Sequence, residues 1–256
     1  AGAVSLTVLP TSLEDLRTRA VAYFVDNAHP KTGLVRDRAN NGGLQKGPTS
    51  YDVGSIAATG IGLAVIAHAG KTGRLPKATA YEQVEKTLRF VSTMPHYKGW
   101  LYHFLHIDTG ERWGLCEAST IDTALFLAGA LYAGQIYPGT AVATLAQTIF
   151  DRVDFQNMLT NGGAKPSKVV LSHGWTPESG YLPWNWDSYA EHMMLVLLGM
   201  GHTPDPLPAT VWNAIGRPFK TPKFSNDSLL GLDLPLFIHQ YSHLFIDFRS
   251  RTDRFT

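Results

Sequence analysis

The feature that most limits what this chain can fold into is an alternation of two kinds of helical segment. Ser12 to Ala28, Pro76 to Met94, Thr140 to Leu159 and Pro208 to Ile215 carry polar residues at helical spacing beside an apolar stripe. That pattern describes a helix with one face in water. Between them lie Asp52 to Ala69, Ser119 to Tyr132, Ser188 to Met200 and Leu236 to Phe248, rich in Ala, Gly, Leu, Ile and Met and poor in charge beyond their first turns. Helices apolar nearly all round are buried ones. Four outer–inner pairs in succession predict an all-α fold of helical hairpins with inner and outer helices, which curves into a solenoid or closes into a toroid. One interruption reads as β: Trp100 to His106 is aromatic-rich, Asp108-Thr-Gly110 suits a turn, and Glu111 to Leu115 returns, giving a small β-hairpin near residues 100–115. The Gly/Pro/Asn-rich stretches Asn40 to Pro48, Asn161 to Lys168 and Pro204 to Pro208 read as loops too short for interdomain linkers, so residues 1–256 are expected to form one domain.

Composition excludes several classes of function. The 256 residues include 22 basic and 21 acidic ones, a net charge of +1, with no Lys/Arg run to meet a phosphate backbone, so no nucleic-acid partner is expected. No apolar run nears the roughly 20 residues of a membrane helix, so no membrane partner is expected either. The single cysteine, Cys116, allows no intramolecular disulfide, and no GxSxG, phosphate-loop or dinucleotide fingerprint occurs. The first ten residues lack the basic and apolar regions of a signal peptide.

If each inner helix is separated from the next by one outer helix, the inner helices run the same way and their N-terminal ends gather on one face. Acidic residues sit at those ends: Asp52, Glu117 with Asp122, and Asp187 with Glu191. Cleaving a glycosidic bond takes two carboxyl groups, one to protonate the leaving oxygen and one to act as base or nucleophile, so Glu191, Asp122 and Glu117 are the catalytic candidates. Each has a plainer reading. Ser188-x-x-Glu191 matches a capping box, Thr49-x-x-Asp52 is a looser one, and Glu117 could complement a helix dipole. Asp122 sits among Ile121, Ala124, Leu125 and Phe126, where an unpaired carboxylate is costly, so a structural ion pair competes with function. His173-Gly-Trp175 and Tyr181-Leu-Pro-Trp184-Asn-Trp186-Asp-Ser-Tyr189 crowd five rings, Trp175, Tyr181, Trp184, Trp186 and Tyr189, into a Gly/Pro-bearing stretch just ahead of Glu191, and such rings either stack on a sugar or pack a satellite core. Arg36, Asp37, Arg38, His103 and Asp187 complete the candidate substrate-binding set. His103 with His106 and Asp108 would offer metal ligands, but on a strand the two histidines face opposite ways, and no metal or other cofactor is expected. Cys116 has no sequence neighbour to activate it and reads as inert.

Six segments in order carry a family resemblance: Gly33-Leu-Val-Arg-Asp-Arg38, Ser55-Ile-Ala-Ala-Thr-Gly60, Tyr102-His-Phe104, Ser119-Thr-Ile-Asp-Thr-Ala-Leu125, Tyr189-Ala-Glu191 and Ser242-His-Leu-Phe-Ile-Asp-Phe-Arg249. Together, from about Leu13 to Arg249, the chain resembles the bacterial glucoamylase-like domain family, which includes endo-β-1,2-glucanases and the related domain of cyclic β-1,2-glucan synthases. The resemblance implies an α/α toroid, a β-1,2-glucan oligosaccharide or polysaccharide as partner, Glu117, Asp122 and Glu191 lining the cleft, and Glu191 as proton donor. A periplasmic or extracellular location is expected. Family domains continue past the Ser-His motif, and eight helices fall short of a six-hairpin ring by about four, so the ring is expected to be incomplete and truncated at the C-terminus, with apolar surface uncovered on its first or last helix. Two competing functions stay open: a noncatalytic or inactive glycan-binding fragment, and a polysaccharide lyase with Tyr189 or His103 as base.

Overall fold

The computed structural model describes residues 12–39, 52–159 and 169–253. The expected loops at 40–48 and 161–168, and Thr49 of the looser capping pattern, lie outside them. The helices are α1 (Leu13–Asp26), α2 (Ile56–Lys71), α3 (Lys77–Ser92), α4 (Thr120–Ile136), α5 (Ala141–Asp151), α6 (Phe155–Met158), α7 (Met193–Met200), α8 (Thr210–Ala214) and α9 (Leu236–Tyr241), the last continued by a 3₁₀ turn, Ser242–Leu244. Short strands link them: β1 (Val35–Arg36), β2 (Val53–Ser55), β3 (His96–Tyr97), β4 (Trp100–Leu101), β5 (Phe104–His106), β6 (Ala118–Ser119), β7 (Gly174–Thr176), β8 (Gly180–Tyr181), β9 (Phe219–Lys220) and β10 (Leu229–Leu230).

The expected alternation is present: α2, α4 and α7 are the buried inner helices of an α/α toroid, and α3 and α5 show one buried stripe each. The inner pair α2 and α4 runs parallel, since Gly60 meets Phe126 and Gly129 near the helix starts while His68 bonds Tyr132 toward the ends. Small residues set their spacing. A Cβ on Gly60 would overlap the Phe126 backbone, and one on Gly129 would overlap the Gly60 carbonyl, so the two backbones approach as only glycine permits. Ser55 and Ser119 start these helices by accepting from the amides of Ala58 and Asp122.

Four expectations need correction. The Thr140 to Leu159 helix is two helices, because Asp154 accepts from the Asn157 amide as the cap of α6 while its own amide bonds the Lys98 carbonyl. The hairpin at 100–115 is only partly formed. Trp100–Leu101 pairs with His96–Tyr97 across a turn with positive φ at Lys98 and Gly99, and Phe104–His106 pairs with Val53–Ser55. The return strand is reduced to a Leu105–Arg112 bridge, flanked by bonds between Trp113 and Phe104 and between His106 and Glu111. The inner helix expected to start at Ser188 starts at Met193, and the helix expected over Leu236 to Phe248 is six residues and a turn. Leu236, Phe237 and Leu244 there, and Leu13 and Leu16 on α1, are exposed.

The strands lead the chain into the inner helices. β5 pairs antiparallel with β2, which runs straight into α2, and β6, which enters α4, pairs with β7, itself paired with β8. Both helix starts are bonded back to these segments, Ile56 to the His103 carbonyl and Thr120 to the His173 carbonyl. His103, His173 and the first turns of α2 and α4 therefore share one end of the fold.

Candidate active site

Three side chains meet where α4 begins. His103 lies just before β5, Glu117 just before β6, and Asp122 in the first turn of α4. One ring nitrogen of His103, Nδ1, is 2.9 Å from Glu117 Oε1, and the other, Nε2, is 3.5 Å from Asp122 Oδ1. The second oxygen of Asp122 accepts from the Ser119 hydroxyl at 2.5 Å. Asp122 is only 8% exposed. The carboxylate that looked costly from sequence is thus engaged from both sides.

The Glu117 side chain lies on β7, where Gly174 has no Cβ; one built there would sit 2.6 Å from the Ala118 carbonyl oxygen and 2.8 Å from Glu117 Cγ. Ser119 and Gly174 are strand partners, so the glycine lets β6 and β7 close with the carboxylate between them.

The surroundings drive the titrating groups apart. Burial pushes Asp122 up and outweighs the His103 charge and the Ser119 bond. Burial also works to raise Glu117, but the His103 hydrogen bond, its own backbone amide and the charges of His103 and His173 prevail and hold it below the usual carboxylate range. Burial works against charge on His103, yet Glu117, Asp122 and Asp37 lift it above the ordinary histidine value. Glu191 is raised by burial and then by the Asp122 charge, against a lowering backbone hydrogen bond, so it belongs to the same electrostatic neighbourhood. Glu117 and Asp122 are thereby brought together through His103, with Glu191 within electrostatic reach of Asp122 and Asp37 within electrostatic reach of His103. Asp52 stands apart, exposed ahead of β2.

The capping reading of Glu191 does not hold. Backbone bonds from Tyr189 to the Gly216 carbonyl and from Gly216 to the Asp187 carbonyl tie residues 187–189 into a parallel bridge at Ser188. Chain held that way cannot begin a helix, and α7 is capped at His192 without a side-chain bond. The Glu191 carbonyl accepts from the Ser242 hydroxyl at 3.1 Å, which in turn accepts from the Met194 amide at 3.0 Å.

The aromatic candidates divide. Trp186 is 8% exposed and lies between His173, ring centroids 3.8 Å apart, and His192, 4.8 Å apart, while its indole N–H donates to Thr120 Oγ1. Both faces are covered, so its expected sugar contact is corrected to a packing role. Trp175 has one face stacked on Tyr97 at 3.7 Å. The Tyr189 hydroxyl lies 3.2 Å from His239 Nδ1 at the edge of a separate cavity of about 760 Å³ between α7, α8 and α9. Trp184, two residues before the buried indole, is 62% exposed. Arg36 lies in β1, Arg38 is bonded to Asp37, and Asp187 is exposed with its charge acting on His173 and His192.

His106 packs at a tilt against Trp113, ring centroids 4.5 Å apart, and is not among the ligand-capable atoms gathered at His103, so the metal reading built on that pair has no geometric support. Ligand-capable atoms of His103, Glu117 and Asp122 do lie within 4.8 Å of one another, close enough to hold a small cation, but the hydrogen bonds among them account for the arrangement. The Cys116 thiol donates to the Phe104 carbonyl and is pushed up by burial, the state of an inert thiol. Sequence reasoning gave Ser119 and His173 no role in the site. Ser119-x-x-Asp122 has cap spacing and could have been found; His173 carries no local signal.

No helix among the described residues is long and apolar enough to cross a membrane. No curated protein matches the chain. Solved structures share its fold. An endo-β-1,2-glucanase from Chitinophaga pinensis, in complex with sophorotriose and glucose, superposes with a TM-score of 0.70 at 18% identity, over 85% of this chain and 54% of that one. A putative glucoamylase from Bacteroides uniformis gives 0.81 at 21%, over 98% and 63%. A β-1,2-glucanase from Parabacteroides distasonis gives 0.60 at 19%, over 78% and 29%. The chain thus spans less than two thirds of the length of each of these proteins. Residues 183–256, the stretch from just before Trp184 through Glu191 to the Ser-His motif, match the glycoamylase family model, described as putative glucoamylase, in agreement with the family that the sequence motifs resemble.

Proposed function

We propose that the chain carries the catalytic cluster of a glycoside hydrolase acting on a β-glucan, with β-1,2-glucan as the preferred substrate. The observation that carries this reading is the opposite displacement of two acids, each within electrostatic reach of one member of the Asp122–His103 pair: Glu191 is held toward its protonated form and Glu117 toward its ionised form. Such a split is what general acid catalysis paired with a carboxylate base or nucleophile requires. In this reading Glu191 protonates the leaving glycosidic oxygen, and Glu117 acts on the other side of the scissile bond as base or nucleophile. Asp122, behind His103, positions that ring and adds the charge that raises Glu191. Trp184 offers an exposed indole face to a glucosyl ring. The choice of β-1,2-glucan draws on the likeness to the two glucanases above.

Elimination, the lyase chemistry, needs a free base. His103 is engaged by two carboxylates that favour its cation, and the Tyr189 hydroxyl is bonded to His239. Hydrolysis is therefore the better fit. Glu191→Gln tests it directly: reducing-sugar release from β-1,2-glucan should fall by on the order of 10²- to 10⁴-fold while the unfolding midpoint stays near the parent value. Parental turnover in that variant would remove Glu191 as the acid. Oligosaccharide binding by the parent protein without any turnover would instead support the glycan-binding alternative.

A further inference from the structure

Glu117 lies on coil, with no helix or strand of its own to hold it. Two carbonyls fix that coil. The Glu117 carbonyl accepts from the His103 amide at 2.9 Å, and the Cys116 carbonyl accepts from Arg112 Nε at 2.6 Å. The rest of the Arg112 guanidinium reaches across to the turn between β7 and β8, donating from Nη1 and Nη2 to the two oxygens of Glu178 at 2.6 and 2.9 Å. The same group lies over the Tyr102 ring, 5.3 Å from its centroid. Because β7 also carries Gly174, on which the Glu117 side chain rests, one guanidinium closes a circuit running from Glu117 through Cys116, Arg112 and Glu178 back to β7. All three nitrogens of the fork are used in one plane, a geometry that lysine cannot reproduce with its charge alone.

We propose that Arg112 is a positioning residue that holds the Glu117 carboxylate against His103, with Glu178 as its anchor on the opposite strand pair. Its effect on turnover rests on the hydrolase reading above; its effect on the Glu117–His103 contact does not. The half-exposed ion pair matters through direction, since a charge at the rim contributes little stability by itself.

The test uses Arg112→Lys, which keeps the charge, and Glu178→Gln, which keeps the bond to Cys116 but removes the anionic anchor. The first measurement is the titration of the His103 ring by NMR. In Arg112→Lys its midpoint should fall by about one pH unit as the Glu117 contact loosens, and in Glu178→Gln it should move the same way by less. On β-1,2-glucan, kcat should drop roughly 10- to 100-fold in Arg112→Lys with little change in KM. A folded Arg112→Lys protein with the parental His103 midpoint overturns the proposal. If that variant fails to fold, a parental midpoint in Glu178→Gln overturns it equally. A parent without turnover defeats the hydrolase reading alone, because the titration is read without substrate.

Discussion

Removing the Trp186 side chain takes away the middle ring of a three-ring stack and leaves Thr120 without its indole donor. Trp186→Ala should cost about 3–5 kcal/mol, read as a lower urea midpoint. Trp184→Ala should leave stability within about 0.5 kcal/mol, yet weaken oligosaccharide binding in calorimetry by the roughly 0.5–1.5 kcal/mol of a ring contact. From sequence the two indoles were indistinguishable, because what covers Trp186 arrives from His173 and His192 on either side of the loop. The carboxylates were more legible: their position at helix starts follows from local pattern, whereas the direction of each shift depends on neighbours brought in by the fold. Those directions set a pH profile. Turnover should rise as Glu117 ionises below the usual carboxylate range and fall as Glu191 loses its proton above it. Asp122→Asn deletes the charge that, after burial, raises Glu191, so the alkaline limb of kcat/KM should move to lower pH. An unmoved limb would assign the shift to burial alone.

At the level of elements, the crossing of α2 over α4 decides how closely the helix starts converge. Gly60→Ala forces a methyl into the Phe126 backbone, which cannot yield as a flexible side chain would. The expected loss is about 1–3 kcal/mol in denaturant unfolding, with Gly60→Ser no better. The Ala- and Gly-rich composition of the inner helices marked them as buried, though not where their backbones would touch, and Ser55 and Ser119 stood at cap positions. The Ser188 box looked as good on paper. It failed because Gly216 competes for the same backbone, and a pairing across 28 residues leaves no trace in a four-residue pattern. The partner of β5 was hidden for the same reason: it is β2, some 50 residues earlier, whereas the sequence offered a nearby return strand.

For the molecule as a whole, the most consequential buried group is His192, which is fully enclosed and has neither ring nitrogen bonded among the described residues. Burial, then the charges of His173 and Arg217, depress it to about 3 despite Asp187. The unfolded chain binds this proton below about pH 6.5 and the folded one does not until near 3, so stability is full above that window and declines as pH falls through it. The slope approaches about 1.4 kcal/mol per pH unit for this one site. His192→Phe should flatten the decline in urea midpoints between pH 6 and 4, and an unchanged decline would assign it to other groups. The stacking of His173 on Trp186 has an optical consequence as well. An imidazolium in van der Waals contact with an indole quenches its emission, and burial delays protonation of His173 to below its ordinary value. Intrinsic fluorescence should therefore dim on acidification before the chain unfolds, in a step that Trp186→Phe abolishes, so that the protein carries its own reporter of the charge beside its carboxylates.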